Sequence, residues 1–82
     1  MGRKEKIYKK ILDAQSDNNI HFDDLRYLLI SMGFSERIRG DHHFMCREYI
    51  EEIINIQPRG NKAKSYQVKQ VRGLIIKYHL EV

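Results

Sequence analysis

The apolar period of the chain changes at Gly33, and that change limits the folds open to it. Before the glycine, Leu25, Leu28, Leu29 and Met32 recur at steps of three and four, one face of a helix. After it, FSERIR, the pair Gly40-Asp41 and HHFMCR read as two short strands joined at a turn. Helical spacing returns with Val68, Val71, Leu74, Ile75 and Tyr78. A chain of 82 residues has room for one core, because single cores take about 50–200 residues. Helices and strands must therefore share it.

The remaining segments fill in the order. Ile7, Tyr8, Ile11 and Leu12 give residues 3–14 a helical face opposite lysines, and SDNN at 16–19 breaks it. Asp23 and Asp24 fall in the first turn of the second helix, where carboxylates favour the positive end of the helix dipole. Gly33 stops that helix. IINIQ at 53–57 is a third β-like run, ended by Pro58, which cannot donate to a ladder. PRGNKAK at 58–64 reads as loop and Ser65 as the N-cap of the last helix. Phe44 and Cys46 are expected in the core and Tyr49 in a packing position. The sum is an α+β two-layer domain with a three-stranded antiparallel meander. The N-terminal helix is expected to pack against its core.

Charge and cysteine narrow the class. Hydrophobic residues are 41% and charged residues 32%, which suits a folded domain and not a disordered one. No apolar run approaches the roughly 18–20 residues that span a bilayer, and MGRKEKIYKK lacks a secretory leader's apolar stretch. The expected place is the cytoplasm. Cys46 is the single cysteine, which excludes an internal disulfide and a CxxC zinc site. The net charge is +4, and from Gln57 to Tyr78 there is no acidic residue, while Arg59, Lys62, Lys64, Lys69, Arg72 and Lys77 all lie there. Such a stretch is either a solvated helix face or a phosphate-contacting surface.

His42 and His43 follow the Gly40-Asp41 turn directly. Adjacent strand residues point to opposite faces, so the pair cannot easily share a metal. Neither His21 nor His79 adds ligand spacing to it. No metal is expected. Taken alone, a hairpin histidine is more often a half-exposed strand residue than a catalyst.

The order RIRGDHHFM, then IINIQP, then GNKAKSYQVKQVRGLIIKYHL, preceded by LRYLLISMGF, resembles the HicA family of bacterial toxins, the mRNA interferases of toxin–antitoxin pairs. The likeness covers roughly residues 22–80. Residues 1–20 are then a helical extension to a HicA-like domain at 21–82. The resemblance implies a double-stranded-RNA-binding-like fold, α-β-β-β-α, an endoribonuclease without cofactor, RNA as substrate, and a HicB-type antitoxin as partner. His42 falls at the position of the family's catalytic histidine, and His43 is secondary. Asp41 stands where serine is usual in the family, and a carboxylate there would repel phosphate.

The implied chemistry is simple. RNA carries its own nucleophile, the 2′-hydroxyl, and a histidine with an ordinary pKa of about 6.5 suits removal of its proton. Phosphate contacts are expected from Lys62, Lys64, Lys69 and Arg72, with Arg37 and Arg39 on the first strand and Gly40 allowing close backbone approach. Three other readings stay open: an RNA-binding module of the same fold without catalysis, a helix-turn-helix DNA binder, and a protein used only for complex formation. The second is disfavoured because the cations cluster away from Tyr27–Met32, where a recognition helix would need them.

Overall fold

The structure, a computed structural model, describes residues 2–82. Its elements run α1 (Arg3–Asp13), α2 (Phe22–Ser31), β1 (Ser35–Arg39), β2 (His42–Cys46), β3 (Ile54–Ile56), β4 (Pro58–Arg59), β5 (Lys62–Ala63) and α3 (Ser65–Tyr78). The first three strands form an antiparallel meander with β2 in the middle. Its register sets Arg39 opposite His42 and Arg37 opposite Phe44, then His43 opposite Ile56 and Phe44 opposite Asn55. Gly40 and Asp41 alone join β1 to β2. The glycine sits at φ +61 with nothing within 4 Å of where a Cβ would stand, so its need is conformational and not steric.

Strand alternation gives the sheet two unlike faces. Met45, Ile54 and Ile56 are fully buried and meet Leu25, Leu28 and Leu29 of α2 and Val68 and Val71 of α3. α1 belongs to the same core through Ile7 and Ile11, and the Tyr8 hydroxyl donates to the Leu80 carbonyl at 2.7 Å. The opposite face carries Ser35, Arg37 and Arg39 from β1, His42, Phe44 and Cys46 from β2, and Asn55 from β3. No helix covers it. The result is an α+β domain with three helices and a small antiparallel sheet. Among the described residues no helix is long and apolar enough to cross a membrane.

Several expectations are corrected here. Phe44 and Cys46 are not core residues: Phe44 is half-buried and Cys46 exposed, because Met45 and not its neighbours points at the helices. Tyr49 is 92% exposed and lies at φ +72, in the loop after β2. Residues 58–64 are not a plain loop. Pro58 pairs with Ala63 and Arg59 with Lys62 in a second hairpin, turned at Gly60 with φ +62. Pro58 needs no amide there, since a two-stranded ribbon can leave one edge unpaired. The other edge is used: His21 bridges Lys62, the Phe22 amide donates to Asn61 O at 3.0 Å, and the Ala63 amide donates to Ile20 O at 2.8 Å. Lys64 takes the cap position of α3 in extended backbone as it leaves β5, so Ser65 is the first helical residue and does not cap.

Candidate functional site

Gln67 is the one buried polar side chain among the described residues, 1% exposed. Its amide spans the gap between α3 and β3. Nε2 donates to Asn55 O at 3.1 Å, and Oε1 accepts the Gln57 amide at 3.2 Å. A buried carboxamide with both ends satisfied fixes the backbone it grips. The residues so fixed, Asn55 and Gln57, are the two that meet the Gly40 turn.

From β3, the Asn55 side chain reaches His42. The imidazole Nδ1–H donates to Asn55 Oδ1 at 3.3 Å, so in the neutral ring Nε2 is the nitrogen that carries the lone pair. That nitrogen lies 3.8 Å from Asp41 Oδ1, too far for a hydrogen bond. Gln57 Nε2 donates to Asp41 Oδ2 at 3.0 Å, and Lys64 Nζ donates to Gln57 Oε1 at 2.8 Å. The Asp41 carboxyl is held below its ordinary range, first by the Gln57 amide, then by its own backbone amide and the charges of His42 and Lys64. His42 keeps 44% of its side chain exposed. A half-open imidazole is therefore oriented from one side by an amide, and its neighbour Asp41 is linked through Gln57 to Lys64 at the cationic start of α3.

That start is a shallow depression lined by Asn18, Arg59, Lys62, Lys64, Ser65 and Tyr66. On the sheet, Arg39 stands opposite His42 and Arg37 opposite Phe44, and the depression is linked to the turn through Lys64 and Gln57. A half-open imidazole of this kind can move a proton, and such a rim can hold an anion.

The expected site residues are distributed unevenly. His42, Gly40, Arg37, Arg39 and Lys64 come together at the turn and the open sheet face. Lys62 lines the α3 depression, but its ammonium is bonded to Asn19 Oδ1. Lys69 is exposed, with Asp17 near enough to feel its charge. Arg72, expected to contact RNA, is engaged within the fold. Its guanidinium pairs bidentately with Asp17 at 2.8 and 2.9 Å and donates to Ile11 O at 3.0 Å. The Asp17 carboxyl is lowered by that hydrogen bond above all, and its side chain is only 14% exposed.

His43 is separated from His42 by the pleat. It faces the helices with 15% of its side chain exposed, bonds Glu36 Oε2 through Nδ1 at 2.8 Å, and stands edge-on to Phe22 with ring centres 4.9 Å apart. Glu36 also accepts two hydrogen bonds from Arg26, one at 2.7 Å from Nη2. Arg26 first, and His43 after it, bring the Glu36 carboxyl from 4.5 down to about 2. A lowered carboxyl stabilises the fold fully above its unfolded value and loses that contribution as pH falls toward the folded one. Stability against thermal unfolding should thus fall as pH drops from about 4.5 to 2, by about 2 kcal/mol after allowing for solvent at the pair. Glu36→Gln should flatten that part of the stability–pH curve, and an unchanged acid limb would discount the Glu36 cluster.

Asn55, Gln57 and Gln67 were not singled out as site residues in the sequence. For Gln67 a signal existed: it stands four before Val71 and seven before Leu74, in phase with the buried face of α3. Asn55 and Gln57 offered nothing beyond their place in IINIQP. No family model, curated protein or solved structure matches the chain.

Proposed function

We propose that the chain is a metal-independent endoribonuclease of the HicA kind, with His42 as general base and a HicB-type antitoxin as its neutralising partner in the cytoplasm. The observation that carries this reading is the His42 ring itself. It is half-exposed beside a two-residue glycine turn, Nδ1 is engaged by Asn55, and among the described residues Nε2 has no hydrogen-bond partner. The resemblance of RIRGDHHFM and the downstream block to the family supports it further.

In this reading Nε2 takes the proton of a ribose 2′-hydroxyl. The oxygen attacks the adjacent phosphorus, the P–O5′ bond breaks, and O5′ takes a proton from solvent. The products are a 2′,3′-cyclic phosphate and a 5′-hydroxyl, and the imidazolium returns its proton to water. Lys64, Arg59 and Arg37 supply charge to the phosphate. The double-stranded-RNA-binding-like identity of the fold belongs to the same proposal.

The test is digestion of RNA with excess chelator. Fragments with cyclic phosphate ends, formed at the same rate with and without chelator, are expected. Loss of cutting on chelation would overturn the mechanism. One observation favours a second reading, a silent RNA-binding module: the Asp41 carboxylate stands 3.8 Å from the reactive nitrogen, where it repels a phosphate. Tight RNA binding without any cutting would select it.

A further inference from the structure

The uncovered face of the sheet has an aromatic ring at its centre. Phe44 is on the middle strand, with Arg37 opposite it on β1 and Asn55 opposite it on β3. Its ring runs nearly parallel to that of His42, 21° between planes and 6.2 Å between centres. Ser35, Glu36, Arg37, Arg39, Cys46 and Ile53 complete a shallow depression around it, and Ile53 is 63% exposed. Phe44 packs on no helix, since the buried side of β2 belongs to Met45. Its planar surface beside a reactive histidine is unexplained by the fold.

We infer that Phe44 is a stacking platform for an unpaired nucleobase, so that the open sheet face takes single-stranded RNA. This rests on the ribonuclease reading for the identity of the polymer. An aromatic ring on an open sheet, flanked by cations, suits bases whose flat faces are free. In a duplex those faces are stacked within the helix and cannot reach the ring. Charge chooses between occupants. Arg37 and Arg39 flank the ring on β1, and the one carboxylate of that strand, Glu36, borders the same depression but pairs opposite Met45 and is bonded to Arg26 and His43, which neutralise it. An apolar protein surface would leave both guanidinium groups unpaired, whereas a nucleotide strand offers each of them a phosphate. A base on Phe44 lies next to His42, which places the adjoining ribose at the base that must act on it.

The experiment is equilibrium binding to a short 2′-O-methyl oligonucleotide, which cannot be cut, and to its duplex. Single strand is expected to bind about tenfold or more tightly than duplex. Phe44→Leu should lose about tenfold in single-strand affinity and Phe44→Tyr should retain it. The wild-type chain gives an independent reading: 2-aminopurine placed in the oligonucleotide should be quenched on binding, as a stacked base is. Equal affinity for duplex, no quenching, or a Phe44→Leu variant that binds normally would each overturn the platform. So would a dimer abolished by Phe44→Leu with RNA affinity unchanged. Cleavage plays no part in these measurements. A chain that stacks RNA but never cuts it refutes the nuclease and leaves the platform, and one that cuts regardless of Phe44 does the reverse.

Discussion

RNA cleavage by the His42→Ala chain is expected to fall to background, at least about 10²–10⁴-fold below the natural chain. The size follows from the absence of a substitute at the turn. The neighbouring imidazole, His43, is on the other side of the sheet and committed to Glu36 at 2.8 Å. The Lys64 ammonium is committed to Gln57 Oε1 at 2.8 Å. The fold should survive the change. His42 is 44% exposed, and its one hydrogen bond, to Asn55, is a surface bond. An unaltered melting temperature with lost cleavage therefore assigns the effect to chemistry. Measured on the same RNA with chelator present, a His42→Ala chain that cuts normally would remove the histidine from the mechanism.

Asn55→Ala is expected to sit between these extremes. The ring would keep its place on β2 but lose the acceptor that holds the hydrogen on Nδ1, so cleavage should drop about tenfold or more with folding unchanged. Asn55→Asp, which keeps an acceptor, should recover part of the rate. Equal rates in all three chains would deny Asn55 a positioning role.

Arg72→Ala is expected to cost about 2–3 kcal/mol in stability, lowering the melting temperature by roughly 10–20 °C. Three groups lose a partner at once: both oxygens of Asp17 and the Ile11 carbonyl at the end of α1. With side chains only 18% and 14% exposed, water reaches the orphaned carboxylate poorly. Asp17→Ala added to Arg72→Ala should cost far less than the two separate changes sum to, the sign of a coupled pair. RNA affinity, read below the melting temperature, should be unaffected. An arginine on phosphate would behave in the opposite way, keeping stability while weakening affinity and the salt dependence. Calorimetry and a salt titration of the Arg72→Ala chain distinguish the two directly.

The difference between Arg72 and His42 shows where the sequence was legible. Spacing alone disclosed all three helices to within a residue or two, because apolar steps of three and four admit little else in a short chain. It disclosed the β1–β2 turn, because Gly40 is suited to the positive φ that a two-residue hairpin loop demands. It also put His42, Phe44 and Cys46 on one strand face, since alternation is a property of the local backbone. Which of the two faces meets the helices is not local. Met45 at the middle of the sheet is enclosed by α2 and α3, and only their packing turned Phe44 outward.

The second hairpin was illegible for a similar reason. Two-residue strands carry no measurable period, and β4 and β5 exist because residues 20–22 return to pair with 61–63. Cations were the least readable of all. Arg72, Lys64 and Lys69 look alike in sequence, yet one closes a bond to Asp17, 55 positions away, and another joins the turn through Gln57. The chain by itself determined its helices, its first turn and the grouping of side chains on each strand face, all settled by forces acting within a few residues. The tertiary structure decided which face stays open and which charges remain free to meet a ligand, because those outcomes depend on contacts between segments that sequence distance does not rank.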